Sequence, residues 1–273
     1  MREEALGVAA AEMAEAHALR AALSAAPRAA ADRIGLAVTE VGGALVVVAP
    51  GAAVGFWTRV LGLGVHEPIT ATLIGEVLEV VARHGGTHTW MQIAPALLPP
   101  DWDDIRAAHG LTAGPSWYKL GRTLDEPINA GPTALSVART APAEADATAT
   151  VLARGFSWDE AEMRELYGSA LAAGRLDGFP ARAGDGVVAA GTLGVHGTHA
   201  SMYGGATLPA HRGRGAQGAL LTARLREAAR RGCTAAFAET WIPAGGQRNP
   251  SYDNMLRSGF SLLYERPSWH WRA

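Results

Sequence analysis

Apolar and polar positions change period along this chain, and each change marks an element. Residues 3–31 carry good helix formers throughout and predict one or two helices, broken near Pro27. Apolar runs at 35–41 and 44–49 are joined by Gly42-Gly43, which predicts a strand hairpin. Another strand is expected at about 56–62. Apolar positions three and four apart predict a helix over 70–83, stopped by Gly85-Gly86. A strand over 87–93 follows, then a short helix over 101–109 with Asp101 as its cap after Pro99-Pro100. A strand over about 116–120 closes this half.

The stretch 125–133 holds two prolines and a glycine and reads as a linker. Beyond it the pattern predicts a strand at 135–139, helices within 143–173 and strands at about 178–183, 187–195 and 199–207. Asp185-Gly186 and Gly197-Thr198 supply the tight connections. A run of glycines and arginines then leads into an amphipathic helix ending at Arg231, with Gly232 just past it. Its apolar side carries Leu221, Leu225 and Ala228, and Arg224, Arg226, Arg230 and Arg231 are expected on the other. A strand over 234–241, a helix over 250–258 and terminal strands through Trp271 complete the chain.

The two halves echo each other. Helix, Gly85-Gly86, strand, proline-containing loop, short helix and Gly110-Leu111 parallel helix, Gly232, strand, proline-containing loop, helix and Gly259-Phe260. The offsets are 146 residues (Gly86 to Gly232) and 149 residues (Gly110 to Gly259). Near-constant spacing predicts two related units in tandem, residues 1–130 and 131–273. The expected fold is α+β, each unit a mixed, mostly antiparallel sheet flanked by helices. Where the second unit has its glycines and arginines, the first has Val65-His66-Glu67-Pro68-Ile69. Glu67 would repel an anion and Pro68 removes a donor. The first unit therefore reads as a degenerate copy with a packing or substrate-shaping role.

Composition narrows the class. At 273 residues and 48% hydrophobic content the chain can bury a sizeable core. A net charge of −2 suggests neither a nucleic-acid nor a membrane partner. Lys119 is the only lysine, and with the heavy use of alanine this looks like the product of a GC-rich bacterial genome. The single cysteine, Cys233, excludes an internal disulfide and reads as a small buried residue. Acidic residues near the start do not make a signal peptide, and the apolar run at 44–57 is too short and broken to span a bilayer. A cytoplasmic monomer or homodimer is expected.

The chemistry centres on Arg212-Gly213-Arg214-Gly215-Ala216-Gln217-Gly218. A glycine loop opening a helix offers free N–H groups and a positive dipole end, and arginines add bidentate donors, so this reads as a pyrophosphate cradle. Gly213, Gly215 and Gly218 also match G-x-G-x-x-G, with Glu239 near the position of a ribose-binding acid. A dinucleotide fold places that loop after its first strand and needs several parallel strands beyond it. Here hairpins precede the loop and one strand-helix-strand unit remains, so that reading is set aside.

Arg212 and Gly215, after the strand ending Ala206-Thr207-Leu208-Pro209, resemble the acyl-CoA loop of the GNAT acyltransferase superfamily, Arg/Gln-x-x-Gly-x-Gly/Ala. Gln217 departs from it, standing where Gly or Ala is usual. Asn249, Ser251 and Gly259-Phe260 extend the resemblance over about 134–273. The resemblance implies tandem GNAT-like units, the second using acetyl-CoA to acetylate a primary amine of a small molecule or peptide. It implies cofactor contacts from Arg212 through Gly218 and from Asn249, with backbone groups near Ala206, Thr207 and Leu208 holding the pantetheine arm. The family's usual acid is a tyrosine at the position of Met255, which cannot donate a proton. Tyr252, one turn earlier, is the nearest phenol, and Glu239 is the candidate base. His196, His199 and His211 lack metal-ligand spacing, and no metal is assigned. Trp241, Trp269 and Trp271 read either as core or as an aromatic acceptor pocket. Met255 and the degenerate first unit motivate the alternative, a non-catalytic acyl-CoA-binding or sensing protein.

Overall fold

In the computed structural model, which describes residues 6–129, 131, 133–158 and 160–273, the chain starts with helices α1 (Val8–Leu23) and α2 (Arg28–Ile34). Strands β1 (Ala37–Val41) and β2 (Ala44–Val48) flank Gly42 and Gly43, whose φ values of 55° and 74° make the tight turn. Next come β3 (Arg59–Leu61), α3 (Ala71–Arg83), β4 (His88–Gln92), α4 (Trp102–Ala108) and β5 (Thr112–Thr123). The Thr70 hydroxyl accepts from the Leu73 N–H at 3.1 Å and sets the start of α3. The second half holds β6 (Ser136–Val137), α5 (Ala145–Phe156), and α6 (Glu160–Met163) and α7 (Ser169–Ala172) on either side of a π-helical turn. It continues with β7 (Asp177–Ala183), β8 (Gly186–His196), β9 (His199–Ser201), β10 (Gly205–Thr207), α8 (Ala216–Arg230), β11 (Ala235–Trp241), α9 (Pro250–Arg257) and β12 (Ser261–Arg272). Residues 130 and 132 of the expected linker lie outside the described residues.

All the strands join one sheet, ordered β1-β2-β3-β4-β12-β5-β11-β9-β8-β7-β6, with β10 paired to β8. Among the described residues only β3 with β4 and β9 with β11 run parallel. The antiparallel pair of β12 and β5 stands at the centre, with β12 also pairing β4 and β5 also pairing β11. Each half thus lends its last strand to the other's sheet, and a parallel pair lies at matching positions on both sides. This exchange fits the 146- and 149-residue spacing of the sequence.

Helix α1 lies on the face where the halves meet. Its Ala11 and Ala14 pack on Ala235 and Phe237, while Ala16, Leu19 and Ala22 join Leu45, Val47 and Leu61 of the first half and Leu152, Ala190 and Ala206 of the second. On the opposite face α8 and α9 cover β11 and β8 through Leu220, Leu225, Met255 and Phe260, and α3 and α4 cover β2 to β4. Alanine has a packing role here. A Cβ on Gly194 would stand 2.7 Å from that of Ala18, so small residues let α1 approach β8 closely.

Several expectations change. The strand at 56–62 shortens to β3, the one at 116–120 extends across Thr112–Thr123, and the terminal strands are one strand with register shifts near Leu262 and Pro267. The strand at 199–207 is broken between β9 and β10. Arg224 does not face solvent. It is 2% exposed, because Gly191 and Gly205 leave room for a long side chain under the sheet. Trp269 and Trp271 pack in the core of the first half, Trp269 edge-on to Trp102 at 5.2 Å, whereas Trp241 is 53% exposed. Among the described residues no helix is long and apolar enough to cross a membrane.

Candidate active site

The break in the strand makes the site. Strand β9 follows β11 for three residue pairs, the last being Phe237 with Ser201, and the Met202 N–H then donates to the Phe237 carbonyl at 2.8 Å. Gly204, at φ 74°, turns the chain away, and β10 continues on β8 alone. Beyond Phe237, β11 runs on to Trp241 with β5 on one side and a gap on the other. The Thr192 N–H donates to the Gly204 carbonyl at 3.1 Å and the Leu208 N–H to the Val188 carbonyl at 3.0 Å. In an antiparallel ladder the intervening odd positions then point the opposite way. Gly205 and Thr207 therefore turn their main-chain groups toward the gap, while Ala206 and Leu208 turn theirs to β8. The Thr207 carbonyl accepts from Arg212 Nε at 3.3 Å, which ties the glycine loop to the strand end.

That loop ends at an uncapped helix. Gly213 and Gly215 have φ values of 75° and 76°, a region that favours glycine. No side chain caps α8 at Gly215, and its first turn holds no carboxylate. A Cβ on Gly213 or Gly218 would meet nothing within 4 Å. Free N–H groups, the helix dipole and the exposed guanidiniums of Arg212 and Arg214 make an open, anion-attracting surface beside buried Ala216.

Gln217 and Asn249 act as fasteners. Gln217 donates to Ser251 Oγ and accepts from Asn254 Nδ2, both at 2.7 Å, and so joins α8 to α9. Asn249 Oδ1 accepts from the Ser251 and Tyr252 N–H groups at 2.9 and 3.1 Å, while its Nδ2 donates to Thr240 Oγ1 and to the Trp241 carbonyl. The cap fixes α9 beside the end of β11. Met255 is buried under α8. The Tyr252 ring packs on Tyr118 with centroids 4.3 Å apart.

On the α1 face, Glu239 enters a buried cluster of charges. Arg266 Nη1 binds both Glu12 oxygens at 3.2 and 3.1 Å, and its Nη2 binds Glu15 at 2.8 Å and also Glu239. Lys119 Nζ lies 2.6 Å from Glu15, Arg59 pairs with Glu15 at 3.7 Å, and Tyr264 donates to Glu12 at 2.7 Å. Burial would raise Glu15, but Arg266, Lys119 and Arg59 hold it well below the usual carboxylate range. Glu239 goes the other way. Burial first and then the charge of Glu15 push it up to about 7, against the pull of Arg266 and Lys119. Its side chain keeps 21% exposure.

Aromatic rings stand around this carboxyl. Trp117 lies opposite Trp241 across the β5–β11 pair, and the Phe56 ring sits 5.5 Å from Trp117 with Arg59 over it at 4.6 Å. Tyr203 accepts from Arg59 at 2.9 Å and stacks on Tyr167, and burial raises both phenols. Sequence reasoning missed Glu12, Glu15, Arg59 and Arg266. The only signal was a pair of glutamates three residues apart among alanines, one face of a helix otherwise fit for a core. The histidines go elsewhere: His196 stacks on His17 at 3.6 Å, and His199 meets Phe237 edge-on at 5.8 Å. Among the described residues no group of three or more His, Cys, Asp or Glu could hold a metal.

Residues 130–237 match the family model of the acetyltransferase (GNAT) domain. No curated protein matches the chain. Among solved structures, a GCN5-related N-acetyltransferase from Kribbella flavida is similar, with TM-score 0.61 and 17% identity, covering 98% of this chain and 97% of that one. A tandem GNAT protein from the clavulanic acid biosynthesis pathway aligns with TM-score 0.59 and 17% identity over 95% of both chains. A GCN5-related N-acetyltransferase from Sphaerobacter thermophilus gives TM-score 0.61 and 15% identity over 84% of this chain and 80% of that one. At these identities the likeness is one of fold.

Proposed function

For a chain that carries a GNAT acetyltransferase domain, we propose acetyl transfer from acetyl-CoA to a primary amine of a small molecule or peptide in the cytoplasm. Residues 131–273 form the catalytic unit, and residues 1–130 shape the acceptor side. One observation carries this reading: the gap between β10 and β11 runs from an uncapped, arginine-flanked helix start to a carboxyl raised near neutrality.

Arg212, Arg214 and the N–H groups of residues 213–218 bind the pyrophosphate, and Gly205 and Thr207 offer main-chain groups to the pantetheine arm and the thioester carbonyl. Glu239 accepts the proton of the attacking amine, and a base that titrates near 7 suits that task. The amine nitrogen bonds the acetyl carbon, the carbon–sulfur bond breaks, and sulfur keeps the electron pair. Trp241, Trp117 and Phe56 flank the approach to Glu239 and favour an amine carried on an apolar or planar group.

Two observations keep the sensing alternative in play: Met255 is buried where an acid would act, and Glu239 is paired with Arg266. A thermal melt with acetyl-CoA, followed by thiol release with a panel of amines, tests the proposal. Stabilisation should reach about 2.7 kcal/mol at 100-fold over Kd. No shift with millimolar acetyl-CoA refutes the site, whereas a shift with no amine ever acetylated selects the sensor.

A further inference from the structure

Arg224 is a buried cation with no anion among the described residues. Among the other buried guanidiniums Arg266 has three carboxylates and Arg59 has Glu15, while Arg122, far from the gap on β5, is held like Arg224 by main-chain carbonyls. Arg224 is held only by main-chain carbonyls, with Nε donating to Leu220 at 3.1 Å and Nη1 donating to Thr192 at 3.1 Å and Gly204 at 3.0 Å. Among the described residues no charged group shifts its titration. Burial is the sole cause that lowers it, to about 10, so it stays protonated at neutral pH. Such a charge is costly unless something compensates it.

Its position says where compensation would come from. Gly204 is the residue at which the strand breaks, and the guanidinium, bonded to its carbonyl, lies over the β8–β10 pair beside that break. A Cβ at Gly191 would stand 2.8 Å from Cζ, and one at Gly205 would stand 3.4 Å from Nη2. Glycines thus make room for this side chain exactly where the main chain turns to the gap. Nη2 makes no hydrogen bond to any described residue and lies beside Gly205. The same helix offers its free N–H groups two turns earlier.

Resting on the acetyl-transfer reading, we infer that Arg224 is a catalytic residue that binds the departing CoA thiolate and replaces the acid absent at Met255. When nitrogen bonds the acetyl carbon, the carbon–sulfur bond breaks and its electron pair stays on sulfur. Arg224 donates hydrogen bonds and charge to that sulfur and keeps its own protons. The amine's proton passes to Glu239, and the thiolate is protonated by water on release. No proton donor is then needed on α9.

The test requires no amine. CoA is bound to the intact protein, and its thiolate is followed by ultraviolet difference absorbance against pH, with the ligand-free protein subtracted to remove buried Cys233. A cation within contact distance lowers an acidic group by about 1–3 pH units, so bound CoA should titrate that far below free CoA. In Arg224→Met the bound thiol should return to the value of free CoA, while CoA affinity at acid pH stays within about threefold; Arg224→Lys should fall between. With an acetylated amine in hand, Arg224→Met should lower kcat about 10²–10³-fold with little change in KM for acetyl-CoA. A bound thiol that titrates like free CoA in the unsubstituted protein overturns the inference whatever the variants do. A lowered thiol that persists in Arg224→Met also overturns it and assigns the effect to another group. Failure of the protein to bind CoA at all removes the acetyl-transfer reading itself, and the role of Arg224 with it.

Discussion

Replacing Glu239 by glutamine should change how the stability of this protein depends on pH. The carboxyl is held near 7 in the folded chain, against about 4.3 for an unfolded glutamate. Between those values the folded protein keeps a proton that the unfolded chain has released. Each rise in pH then costs stability, up to about 1.4 kcal/mol per pH unit. The loss begins near pH 4.5 and is complete above 7, the reverse of an ordinary salt-bridged carboxylate. A gap of roughly 2.7 pH units corresponds to at most about 4 kcal/mol. Salt should matter little, because Glu15, Arg266 and Lys119 around it are buried.

Glutamine keeps the shape of the neutral acid and cannot ionise. Arg266 loses one partner but retains Glu12 and Glu15, a change that is nearly constant with pH. Urea unfolding of both proteins from pH 5 to pH 8 reads the difference. The stability of Glu239→Gln relative to the parent should rise by about 2–3 kcal/mol across that range, or roughly 5–10 °C in Tm. A difference that stays flat would mean that Glu239 ionises like a surface carboxylate, and the argument for a base poised near neutrality would fail. The same variant should lose the acid limb of kcat/KM near pH 7, with a fall of about 10²–10⁴-fold in rate and CoA affinity nearly unchanged.

Gly215→Asp should abolish the thermal shift with acetyl-CoA while the protein stays folded, because a carboxylate would enter the anion site at the start of α8. Glu67→Ala should leave the shift intact, and an equal loss in both would break the assignment of the cradle to the second half. Tyr252→Phe should leave turnover and the alkaline limb of the pH profile unchanged, since Arg224 takes the thiolate; slowed turnover with a flattened alkaline limb would give that task to the phenol. Arg266→Met should cost about 3–5 kcal/mol in urea unfolding, since it takes from buried Glu12 its cation while Glu15 keeps Lys119 and Arg59, and a cost under about 1 kcal/mol would show that water reaches Glu12.

The glycine loop and the helix start after it were legible because their chemistry is local. Glycines at positive φ, arginines and a helix start are consecutive in sequence, so residues 212–218 could be read without knowing the fold. The repeat was legible for a similar reason, since glycines that end helices recur at nearly constant spacing. The strand exchange was not, because pairing of β12 with β4 and of β5 with β11 joins segments whose periodicity is the same whichever neighbour they take. The charges were the hardest. Helical periodicity assigned Arg224 to solvent and left Glu12 and Glu15 as ordinary polar positions, because a one-dimensional pattern treats every charge as exposed. What contradicts it lies on other elements: Gly191 and Gly205 across the sheet from Arg224, and Lys119, Arg59 and Arg266 on three strands around Glu15. The lone lysine was a usable sign. In a chain that otherwise uses arginine throughout, Lys119 sits where a compact ammonium fits, 2.6 Å from Glu15 and directly across the strand pair from Glu239. That placement ties the titration of Glu239, a residue of β11, to Glu15 on α1 at the other end of the chain.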